Sequence, residues 1–172
     1  MSEADGPRRY APSRDFPPYA FLPGQDPHPT RDPKGHSYTG ESEPPAAYFE
    51  PVDWTENEDY LYGADLYNHG YLWEAHEAWE GLWHSAKHDE LQAEHLQGLI
   101  QCAASALKVR MEQPAGVTRL AEIGTGRLER VAHESRGEFM GLDLDHFVER
   151  FRLFAASQPE TPDDRPRLDL RS

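Results

Sequence analysis

Asn68-His69-Gly70-Tyr71-Leu72-Trp73-Glu74-Ala75-His76-Glu77-Ala78-Trp79-Glu80-Gly81-Leu82-Trp83 is the stretch on which the reading of this chain turns. Three tryptophans, two histidines and three glutamates stand there at helical spacing. Tryptophan is uncommon on a solvated helix face, so carboxylates beside it are partly desolvated. Such acids need a partner, whether a metal, a basic side chain or a set of hydrogen-bond donors. Gly70 falls where a preceding helix wants a left-handed residue just past its end. The stretch therefore reads as a helix end, a turn and a second helix.

Working outward, Thr55-Glu56-Asn57-Glu58 reads as a capping box opening a first helix to about Asn68. The second helix is predicted over about Leu72 to Ala86. Asp89-Glu90-Leu91-Gln92 opens a long third helix to about Glu112, stopped by Pro114 and Gly116. Val117, Leu120, Ile123, Leu128 and Val131 outline a fourth, weakened by Gly124 and Gly126. Asp143 caps a fifth that carries Leu144, Phe147, Phe151 and Phe154. No segment alternates well enough to be a strand. Five helices with short loops predict an all-α fold, a compact antiparallel bundle or stacked helical hairpins.

At 100° per residue, Leu72, Ala75, Trp79, Leu82 and Trp83 form the apolar arc of the second helix. His76 lies at its edge, with Glu80, Glu77 and His84 further round. Glu74 faces away and is expected in solvent. On the third helix, Leu96, Leu99, Ile100, Ala103, Leu107 and Met111 make the apolar arc. Gln97, Gln101 and Lys108 flank it on one side. Gly98, Cys102, Ser105 and Val109 form a small-residue ridge on another, so this helix is expected to be packed on two sides. If the second and third helices are antiparallel neighbours, Gln97, Gln101 and Lys108 face His76, Glu77 and Glu80.

That constellation supports three readings. Lys108 and the glutamines satisfy His76 and Glu80 in a structural network that sets helix register. Alternatively His76 and Glu80, with or without Glu77, bind a divalent ion such as Zn, Fe or Mn. Or the network lines a pocket for a small organic ligand. The spacing His-Glu-x-x-Glu is neither the His-Glu-x-x-His of zinc proteases nor the paired Glu-x-x-His of di-iron bundles. A further metal ligand would have to come from His95, His69, a glutamine or water. His84 and His88 read as a solvated pair, Tyr60, Tyr62, Tyr67 and Tyr71 as core rim, and Cys102 as a small buried residue with no adjacent base.

Composition bounds the rest. The chain has 172 residues and a net charge of −14, room for one domain. Eleven of its fifteen prolines fall in residues 1–51, which read as a disordered or extended arm. Residues 158–172 read as a disordered tail. Residues 52–157 are the folded unit, with 19 acids against 9 lysines and arginines. That balance repels phosphate and argues against nucleic acid as a partner. No apolar run reaches membrane-span length, and Met1-Ser2-Glu3-Ala4-Asp5-Gly6-Pro7 lacks the apolar core of a secretory signal. With a single cysteine, the cytoplasm is the expected compartment.

Asn68-x-Gly70-x-x-x-Glu74-Ala75-His76-Glu77-x-x-Glu80-x-x-Trp83, followed by Leu96-Gln97-Gly98-Leu99-Ile100-Gln101-x-Ala103-Ala104, resembles the domain of unknown function family 309 of bacteria and archaea. The resemblance covers about Tyr60 to Phe154 and implies a compact all-α bundle. It also implies the label predicted metal-dependent hydrolase, itself drawn from the His-Glu motif. Gly70, Ala75 and Trp79 are similarly spaced to positions of a tetratricopeptide hairpin, which supports hairpin packing of the first two helices. One such unit is too few for a solenoid.

Two functional expectations result. As a metal-assisted hydrolase, the chain uses His76 and Glu80 as ligands, Glu77 as ligand or general base, and Gln97 or Gln101 to hold substrate or water. As a non-catalytic interaction domain, its polar network is structural and its arm recruits a protein partner. The sequence leaves substrate, partner and oligomerisation open.

Overall fold

A computed structural model describes residues 6–41 and 44–171. The N-terminal Met1 to Asp5, read above for a secretory signal, and Ser172 of the tail lie outside the described residues. The chain is all-α: α1 (Glu58–Asn68), α2 (Leu72–Ser85), α3 (Glu90–Arg110), α4 (Pro114–Ser135) and α5 (Leu144–Ala156). Each helix packs on the next, and α3 lies against both α2 and α4. Among the described residues no helix is long and apolar enough to cross a membrane.

Local chemistry sets most helix ends. Asp89 accepts from the Gln92 N–H at 3.1 Å, and Asp143 from the His146 N–H at 3.1 Å, as N-caps do. Gly70, at φ 89°, closes α1: its N–H reaches Tyr67 O while the Tyr71 N–H reaches Leu66 O, the Schellman pattern. The start of α1 differs from the expected capping box. Pro51–Glu56 forms a 3-10 turn, and Asn57, buried, caps α1 by accepting from the Tyr60 N–H at 3.2 Å. A two-residue antiparallel ladder also forms where no strand was expected, β1 (Glu138–Phe139) with β2 (Leu142–Asp143). Met140 and Gly141, both at positive φ, make its tight turn.

Of the two glycines expected to weaken α4, Gly124 instead lets two helices approach, while a Cβ on Gly126 would meet nothing within 4 Å. A Cβ on Gly98 of α3 would lie 2.6 Å from Leu128, and one on Gly124 would lie 3.0 Å from the Gly98 carbonyl oxygen. The small-residue ridge of α3 is thus the seat of α4, which runs unbroken for 22 residues. Tyr60 and Tyr67, expected at the rim, are fully buried with Trp79, Leu96, Leu128 and Phe151 in the core.

The arm, expected to be disordered or extended, and the tail, expected to be disordered, have little regular structure, and described residues of both lie on the bundle. Ala11, Phe21 and Leu22 of the arm and Leu168 and Leu170 of the tail are buried. The Asn68 amide makes a reciprocal pair with the Leu168 backbone, at 2.9 and 2.7 Å. Tyr10 joins arm to tail by accepting from the Leu170 N–H at 2.9 Å. The irregular backbone is held by side chains of α1 and α2, which take the place of helix or sheet partners.

Candidate functional site

The i, i+4 spacing of His76 and Glu80 puts both heads on one arc of α2, as expected. His76 Nε2 is 3.5 Å from Glu80 Oε2, and His76 Nδ1 is 3.4 Å from Glu77 Oε1. One ligand atom from each of the three side chains lies within 4.8 Å of the others. His84 reaches the same glutamate only at 4.0 Å. The cluster is shallow, with side-chain exposures of 29% for His76, 47% for Glu77 and 42% for Glu80. His76 Nδ1 is nevertheless buried, without a hydrogen-bond partner among the described residues.

The expected partners from α3 are elsewhere. Lys108 donates to Gln113 Oε1 at 2.9 Å. The reason is length: α3 has 21 residues and α2 has 14, so the last turns of α3 run past the reach of an antiparallel α2. Gln101 turns toward α4, accepting from Arg127 Nε at 3.0 Å, while Arg127 Nη1 also reaches Glu94 at 3.1 and 3.2 Å. Gln97 lines a groove of about 410 Å³ with Trp83, Lys87, Glu94 and Arg127. Of this polar flank Gln101 thus serves α4, an element that pairing α2 with α3 alone had left out.

Neither further ligand candidate joins the cluster. His69 packs on the Phe16 ring, and burial pushes its imidazole below the usual range. His95 is wholly buried beside Tyr60, and burial pushes it down to about 3. Cys102 is buried in α3, and the same desolvation raises its thiol, which removes it as a nucleophile.

The carboxylate that sequence reasoning missed is Glu74. Expected in solvent, its side chain is 6% exposed. Its Oε2 accepts from the Phe21 N–H at 3.0 Å and from His36 Nε2 at 2.7 Å, because the arm crosses that face of α2. Asp65 on α1 is buried likewise, accepting from Arg9, Tyr10 N–H and Ala11 N–H at 2.7–3.0 Å. A helical projection shows which way a carboxylate faces but not what covers it. The available signal was an arm bearing groups complementary to these acids, Arg9 for Asp65 and His36 for Glu74.

Fold and cluster together define a small all-α domain carrying a His/Glu group on its second helix. Residues 60–120 match the family model described as Domain of unknown function (DUF309). The match spans α1 to α3 and the start of α4, and so includes His76, Glu77 and Glu80. No curated protein and no solved structure matches the chain.

Proposed function

We propose that α2 binds a divalent cation at the cluster of His76, Glu77 and Glu80, with His76 and Glu80 as ligands and Glu77 as ligand or general base, and that the reaction class is metal-assisted hydrolysis of a small substrate. The observation that carries this reading is the convergence of three ligand atoms within 4.8 Å on a face to which, among the described residues, no lysine or arginine is paired. The orphaned His76 Nδ1 adds to it, since an imidazole nitrogen without a donor or acceptor suits a metal bond. A bound ion supplies Lewis acidity and acidifies a coordinated water. His76 and Glu80 act as ligands. Glu77 belongs to the cluster and also lines the neighbouring groove, so it is the carboxylate suited to take a proton. The reading as a recruiting interaction domain draws less support, because the arm is engaged by Asp65 and Glu74.

Elemental analysis of protein purified without added metal, followed by thermal unfolding with Zn or Mn, tests the proposal. A cation at a hundredfold excess over Kd raises stability by about 2.7 kcal/mol, a shift of several degrees. His76→Ala should remove that shift. Under about a tenth of an equivalent of transition metal, with no thermal response, would end the proposal.

A further inference from the structure

A cavity of about 830 Å³ lies between the N-terminal arm and the faces of α1 and α2. Glu74 lines it, and its two carboxylate oxygens differ sharply. Oε2 takes both the Phe21 N–H and His36 Nε2. Oε1 is buried and takes nothing among the described residues. Buried carboxylate oxygens are ordinarily satisfied, and a donor brought by a ligand would complete this one.

The surrounding charge says which donor. Asp15, Asp59 and Glu77 also line the cavity; Arg14, its one arginine or lysine among the described residues, is held by Asp59 at 2.7 Å. The uncompensated charge is negative, so phosphates and carboxylates are repelled. A bare metal ion is poorly served, since hard cations want several oxygens and Glu74 has one to offer. Phe16, Tyr62 and Trp73 provide aromatic walls; Arg9 and Arg14 already lie over the Phe16 and Tyr62 rings, each at 4.0 Å, so those two rings suit an apolar stem and Trp73 the cation.

We infer that this cavity binds a small organic cation, a primary amine on an aliphatic or aromatic stem, whose ammonium donates to Glu74 Oε1. Glu77 borders both this cavity and the proposed metal cluster, but His76 and Glu80 do not line the cavity and Glu74 is not in the cluster, so the two sites adjoin with different anchoring groups.

Amide NMR titration of the full chain with phenethylamine, a linear alkyl diamine and the neutral phenethyl alcohol tests this. At least one amine should shift the Phe21, Trp73 and Glu74 amides and bind about tenfold or more tighter than the alcohol. Glu74→Gln keeps the shape and should erase that preference. Because that change also touches the tie to the arm, Gly81→Leu provides a second variant. Gly81 lines the cavity, and a Cβ there meets nothing within 4 Å. The leucine should narrow the cavity and weaken the amine shifts while melting no lower than wild type. His76→Ala should lose any metal response and keep amine binding, which separates failure of one site from failure of the other. The inference is overturned if neither amine shifts those amides, if the alcohol binds equally well, or if Gly81→Leu binds amine unchanged.

Discussion

Arg9 donates from Nε to Asp65 Oδ2 at 3.0 Å, tying the N-terminal arm to a carboxylate of α1 that is wholly buried. The same carboxylate accepts the N–H groups of Tyr10 and Ala11 at 2.7 and 2.8 Å. Removing one side of such an arrangement costs on the order of 3 kcal/mol if the arm stays in place. Releasing the arm is the cheaper course. Asp65→Ala should therefore make residues 6–41 sensitive to limited proteolysis while the helical circular dichroism persists. An arm as protected as in wild type would contradict this role for Asp65.

Gly63 and Gly81 forecast opposite effects of the same substitution. A Cβ on Gly63 would overlap the Trp79 indole, whose Nε1 donates to Tyr60 O at 3.4 Å; a Cβ on Gly81 meets nothing. Gly63→Ala should destabilise by roughly 1–3 kcal/mol through overpacking. Gly81→Ala should stabilise by up to about 1 kcal/mol through helix propensity. Urea denaturation of both variants reads the difference, and equal signs would refute the close α1–α2 contact.

His95 predicts an acid-sensitive core. Tyr60 donates to Met140 O at 3.0 Å, so its oxygen accepts from His95 Nε2 at 3.2 Å. The ring is neutral, because burial pushes its pKa down to about 3. The folded value lies below the unfolded value of about 6.5, so the contribution is present above the unfolded pKa and is lost as pH falls. Between pH 7.5 and 5 this one group should remove roughly 2 kcal/mol from the unfolding free energy. His95→Gln, which keeps an N–H for Tyr60, should flatten that part of the profile in urea titrations. An unchanged slope would mean that other groups carry it.

Lys108 is expected to be silent. Its ammonium is on exposed Gln113 and its stem lies against Gly116. Lys108→Met keeps the stem, so stability should stay within about 0.5 kcal/mol of wild type. The thermal response to Zn or Mn should also be the same with and without the substitution. A gain in that response would show that the ammonium competes for the His76 cluster after all.

The sequence by itself determined what depends on neighbours a few residues apart. Asp89 and Asp143 cap helices because their carboxylates reach an N–H three positions on, and Gly70 ends α1 because only a residue free of a Cβ enters that conformation cheaply. For the same reason His76, Glu77 and Glu80 could be brought together from their spacing alone. Tertiary structure decided what covers each arc. Glu74 and Asp65 are buried because an irregular arm, dozens of residues upstream, returns across α1 and α2. Gln101 and Lys108 left the cluster because α4 supplies Arg127 and because α3 outruns α2. Local rules concern one helix at a time. Which distant segment meets a given face depends on packing the whole chain, and a helical projection of one element carries no term for it.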